Sequence, residues 1–169
     1  MVSIVWFSFV VIAMASAIVD VATYRIPNTF VIALIAIFLV VAAIHYRDIT
    51  LIGLMIHIGF AVAVLGIGIV LYSLKQMGAG DVKLLTAIAL WAGGIVPVIV
   101  LLFWVSVCGF IGMMIILLLR LLMPRLRSGG EKPALPGVLT KGKGIPYGIG
   151  IGPGAIIASF YFPAWLWQQ

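Results

Sequence analysis

Long apolar runs fix what this chain can become. Almost no charge interrupts the stretches from Ile4 to Val19, from Phe30 to Ile44 and from Leu51 to Leu74. A fourth run extends from Leu84 to Met123, interrupted at Gly93-Gly94 and Pro97. About 20 apolar residues cross a bilayer as a helix, because in hydrocarbon each backbone N–H and C=O must find its partner within the segment. The fourth run, at about 1.5 Å per residue, would reach about 60 Å, twice the hydrocarbon thickness. It therefore divides at the glycines into a short helix and a longer one. A last run, Ile145 to Trp167, places Trp165 and Trp167 where an aromatic belt anchors a helix end. The expectation is an all-α polytopic membrane protein with six transmembrane helices. With 169 residues, 65% of them hydrophobic and 8% charged, the length leaves no room for a soluble unit, so residues 1–169 are expected to form one membrane domain.

Six spans send the loops alternately to two sides, and the charges sort with them. Arg25, Lys75, Lys83, Arg120, Arg125, Arg127, Lys132, Lys141 and Lys143 fall on one side, and Arg47 on the other. That bias predicts a cytoplasmic side for the first group and extracytoplasmic termini, in a cytoplasmic membrane. The formal net charge of +6 is thus read against lipid rather than nucleic acid. The stretch from about 120 to 144, with Pro124, Gly129, Gly130, Pro133, Pro136 and Gly137, reads as a flexible basic loop. Its charge serves topology and anionic lipid, or helps to receive a substrate. The lone Cys108 lies in an apolar run, which excludes an internal disulfide and a paired-cysteine metal site. Ala15-Ser16-Ala17 resembles a signal-peptidase site, but Met1-Val2-Ser3 supplies no positive start, so the segment is taken as a permanent span.

The four acidic residues are the sharpest chemical signal. Asp48 and Glu131 fall in loops, where water solvates them, whereas Asp20 ends the first span and Asp81 opens the fourth. A carboxylate at the edge of an apolar helix is costly and points to function. Both belong near the cytoplasmic face, so they can converge. Taken singly, Asp81 could be a helix cap after a glycine turn, and Asp20 could pair with Arg25 or Lys83. Together, two acids sharing a site cannot easily both ionise, so one holds a proton while the other activates water. Such a pair hydrolyses peptide bonds without a metal or cofactor. Gly78 and Gly80 suit this use, since glycine tolerates φ > 0 and lets a strand approach the backbone. Helix dipoles divide the roles: Asp20 in a last turn is expected to hold the proton, and Asp81 in a first turn to be the base. Lys83, two residues after Asp81, either lowers an acid's pKa or is a topogenic lysine. His57, inside the third span, reads as a helix–helix hydrogen-bond partner rather than a catalyst, and His45 carries less signal. Gly144, Gly148, Gly150, Gly152 and Gly154 read first as close helix packing, with Pro153 expected to kink that helix.

These residues resemble a known family. Asp20-Val21-Ala22-Thr23-Tyr24-Arg25-Ile26-Pro27-Asn28 is similar to the first aspartate motif of the prepilin peptidases, and Gly78-Ala79-Gly80-Asp81-Val82-Lys83-Leu84-Leu85 to their second, glycine-x-glycine-aspartate motif. Ile145-Pro146-Tyr147-Gly148-Ile149-Gly150-Ile151 resembles their last helix. The resemblance implies a catalytic pair at Asp20 and Asp81, with Gly78, Gly80, Lys83, Pro27 and Asn28 as supporting motif residues. It implies cleavage, at the cytoplasmic face, of prepilin-like substrates whose basic leader precedes an apolar helix. Longer relatives carry a cysteine-rich region and also methylate the new terminus. This chain is similar to the short tight-adherence (Flp) pilus and archaeal preflagellin forms, for which methyl transfer is not expected. Two other classes compete: a small transporter or channel component using the same acids as a proton relay, and a non-catalytic assembly subunit. Transport needs polar groups near the midplane, whereas both acids fall at one interface.

Overall fold

A computed structural model describes residues 4–45, 49–126 and 146–166, with side chains up to Leu122 in the longest helix. The described chain is helical throughout: α1 (Ile4–Thr23), α2 (Asn28–Ile44), α3 (Leu51–Ser73), α4 (Ala79–Ala92), α5 (Ile95–Leu126), α6 (Gly148–Ser159) and a 3-10 turn over Ala164–Leu166. Three of these, α1, α3 and α5, are long and apolar enough to cross a membrane. The expected loop over 120–144 falls largely outside the described residues, as do Arg47, Asp48, Glu131 and Trp167.

The division of the fourth run occurs where the glycines stand. Gly93 adopts φ 60, the left-handed conformation that stops a helix, and the next helix starts at Ile95. Pro97 is harmless there, because its missing N–H falls in a first turn that has no intrahelical partner anyway. The last helix differs from expectation. It covers Gly148–Ser159 instead of Ile145–Trp167, and its 12 residues reach only about 18 Å. Pro163 explains the early stop: proline disfavours helical backbone in the residue before it, and the chain turns at Tyr161 and Phe162 before the 3-10 turn.

Burial separates inner from outer helices. α4 is covered nearly all round, burying Leu84, Ala87, Ile88, Ala89, Trp91 and Ala92. α3 and α5 instead turn large apolar side chains outward, among them Ile67, Ile69, Ile115 and Leu118, as a lipid-facing surface requires. α6 packs against α5 and α1 through its glycines. A Cβ at Gly150 or Gly154 would fall 2.6 Å from the Cα of Gly109 or Val105 on α5, and one at Gly152 2.7 Å from Ala17 Cβ on α1. Gly150, Gly152 and Gly154 thus act as the sequence predicts, bringing helices together where hydrocarbon offers no hydrophobic drive, while Gly144 lies outside the described residues.

The two ends of the bundle differ in chemistry. At one end, Phe9, Phe38 and Trp91 are fully buried and meet at ring distances of 5.2 Å (Phe9–Trp91) and 5.7 Å (Phe38–Trp91). Trp165 folds onto Phe38 and His57 there, so it closes this core rather than standing as a belt anchor. His57 is buried, and its Nδ1 pairs with the Leu90 carbonyl oxygen at 2.7 Å. That oxygen belongs to the last turn of α4, where carbonyls lack intrahelical donors. His57 is therefore the helix–helix partner expected from the sequence. The acids occupy the other end.

Candidate active site

α1 and α4 deliver the two acids to one place. Asp20, 4% exposed, and Asp81, 8% exposed, line an open cavity of about 600 Å³ where α1 and α3 finish and α4 begins. Residues 61 positions apart in sequence thus share a site.

Each carboxylate is held by a backbone N–H at a helix start. Asp81 stands in the first turn of α4, and its Oδ2 accepts from the N–H of Gly78, the N-cap, at 3.2 Å. The capping role weighed from the sequence is therefore real, but it uses one oxygen only. Asp81 Oδ1 is buried without a hydrogen-bond partner. A buried acceptor left so is costly, and a shared proton or a water would satisfy it. Asp20 Oδ2 accepts from the Gly148 N–H, the first of α6, at 2.8 Å. The role division drawn from the ends of α1 and α4 does not include α6, whose positive end also faces Asp20.

The glycines make these contacts sterically feasible. A Cβ at Gly78 would lie 2.7 Å from Asp81 Oδ2, and one at Gly148 would lie 2.7 Å from both Cβ and Oδ2 of Asp20. Gly80 admits the other motif: a Cβ there would meet Ile26 Cβ at 3.3 Å. Close approach is the whole reason. Gly78 has φ −74, and Gly93 is the sole positive-φ glycine among the described residues, so the expected φ > 0 in the Gly78–Gly80 turn is not found.

Lys83 turns from the acids. Its Nζ donates to Asn28 Oδ1 at 3.3 Å, tying α4 to the start of α2, whose N-cap is Pro27. Lys83, Asn28 and Pro27 thus hold the two motifs together without lining the cavity. What sequence reasoning missed is that much of the rest of the wall comes from Tyr24, Tyr72, Lys75, Pro146 and Tyr147. Tyr24 and Lys75 carried a backbone signature no sequence pattern announced. Among the described residues they are the non-glycine residues with positive φ, at 55 and 59. Lys75 follows α3 in a Schellman arrangement, its N–H on the Tyr72 oxygen at 2.9 Å and that of Gln76 on the Leu71 oxygen at 2.9 Å. Such backbone costs about 1 kcal/mol or more without glycine, and strain of this kind gathers at functional sites.

Fold and cavity together describe a helical membrane protein with two buried acids facing one open site. The chain belongs to the type IV leader peptidase family, whose model matches residues 7–126, a span that carries both acids. It is accordingly a membrane peptidase. Neither curated proteins nor solved structures give a match.

Proposed function

We propose that this chain is an aspartic endopeptidase that removes the leader of a prepilin-like protein at the cytoplasmic face of the membrane. One observation carries the reading: Asp20 and Asp81, brought from separate helices, are both buried and line one open cavity. Neither caps a helix with its whole carboxylate, and one oxygen has no partner.

The chemistry follows from two acids that share a proton. The ionised member takes a proton from a water held between them as that water attacks the scissile carbonyl carbon. The protonated member donates its proton to the carbonyl oxygen; as the C–N bond then breaks, the member that took the water's proton passes it to the leaving nitrogen, and the other recovers a proton from the collapsing diol. The backbone donors at Gly78 and Gly148 fix the carboxyl planes, so little reorganisation accompanies the reaction. The dipoles of α4 and α6 favour charge on both acids alike, and the pair is proposed to act as a unit. The proton-relay alternative gains no support from the far end of the bundle, which fully buried Phe9, Phe38 and Trp91 fill.

Asp20→Asn and Asp81→Asn keep size and polarity while removing the shared proton. Each is expected to abolish leader removal from a prepilin by the detergent-solubilised protein, with insertion unaffected, and the double variant to be no worse than either single one. Substantial cleavage by either single variant would sink the proposal.

A further inference from the structure

A second cavity adjoins the first and differs from it in kind. It has a volume of about 590 Å³ and is walled by Leu71 of α3, Leu85 of α4, and Leu102, Phe110 and Met113 of α5. That size lies within the range of pockets that enclose several side chains. Its one hydroxyl on α5, Ser106 Oγ, is already satisfied by the Leu102 carbonyl at 2.8 Å, so this wall offers apolar contact. Met77, Pro146 and Tyr147 line both cavities and form the passage between them. The groove exists because α3 packs on α4 and α5 packs on α6, whereas α3 and α5 meet at most marginally. Both flanking helices are long enough to cross the membrane, and both expose apolar side chains.

We infer that the groove between α3 and α5 holds the apolar stretch of substrate adjoining the bond to be cut, so that substrate reaches the acids sideways from the membrane. The inference rests on the peptidase reading above. A peptide bond held between the acids must send its neighbouring residues somewhere, and three residues of extended chain cover about 10 Å. The contiguous space beyond Met77 and Tyr147 is largely apolar and lies between two helices long and apolar enough to cross a membrane. A segment rich in Leu, Ile, Val or Phe satisfies it. A polar segment would lose its hydration there without gaining partners.

The occupant can be identified by cross-linking and by kinetics. In membranes containing the Asp20→Asn protein and a prepilin, a benzophenone amino acid at Phe110 is expected to form adducts with the apolar segment next to the cleavage site. The same label at Ile115, on the outer face of α5, is expected to react with lipid. Adducts from Phe110 with lipid only, or with a second copy of this chain, would overturn the inference. In the otherwise unchanged protein, Ser106→Trp fills the groove and is expected to raise KM at least tenfold with kcat little changed, while Ile115→Trp changes neither. An unchanged KM for Ser106→Trp would likewise overturn it. The two readings fail differently: a wild-type protein that cleaves no prepilin defeats both, whereas cleavage combined with lipid-only adducts at Phe110 defeats the groove alone.

Discussion

A side chain of one hydrogen atom does much to place one of the two acids. Gly148 presents its N–H to Asp20 because nothing stands between the start of α6 and the Asp20 side chain. Gly148→Ala places a methyl group where Asp20 Cβ and Oδ2 now lie 2.7 Å away, so the acid must rotate or α6 must retreat. Displacements of that size at a reacting group cost about a hundredfold in rate. Leader removal by Gly148→Ala is therefore expected to fall by about that factor, with membrane insertion retained; wild-type rates would separate the start of α6 from the site. Asp20 and Asp81 were legible in the sequence because a carboxylate is conspicuous against apolar neighbours. Gly148 stood in the sequence as one of several packing glycines. Nothing local reveals that its amide meets a carboxylate 128 positions earlier. Lys83 shows the converse, since nearness in sequence to Asp81 did not bring it to the cavity wall: successive helix positions diverge by about 100°.

Among the elements, α4 is the most confined, and both its ends are closed by groups from elsewhere. Asp81 reaches back over its first turn, and His57 of α3 occupies its last. The Gly93 turn is inseparable from that histidine, whose ring would lie about 2 Å from any Cβ there. Replacing His57 by Ala leaves the Leu90 carbonyl buried without its donor and removes a ring packed between Phe38 and Trp165. A loss of about 2 kcal/mol is expected, read as a lowered Tm in detergent, and His57→Gln, which keeps an N–H donor, is expected to recover part of it. An unchanged Tm in His57→Ala would show that the α4 end is held otherwise. Helix existence and the break at Gly93 could be read from hydropathy and glycine placement, because both are local. The early end of α6 could not be read from hydropathy, which stays high through Phe160, Phe162 and Trp165; backbone geometry at Pro163 decides it.

For the whole molecule, the up-and-down path gathers the end of α1, the end of α3 and the start of α4 around one cavity, with Arg25, Lys75 and Lys83 nearby in sequence. The charge bias is expected to set which side of the membrane that end faces. Reporters fused after Tyr24 or after Met77 are expected to be cytoplasmic, and one inserted at Asp48 extracytoplasmic. An extracytoplasmic Met77 would put the acids on the wrong face for a cytoplasmic leader. The charge pattern supplies an expectation for this polarity, while the meeting of α6 with α1 depends on backbone contacts that hydropathy does not encode. That meeting bears on synthesis as well as on catalysis. Asp20 and Asp81 leave the ribosome early, on α1 and α4, but the amide that steadies Asp20 belongs to α6, made 128 residues after it. A nascent chain carries both acids long before it carries the donor, so a membrane-bound hydrolase built this way stays incomplete until its translation has passed α6.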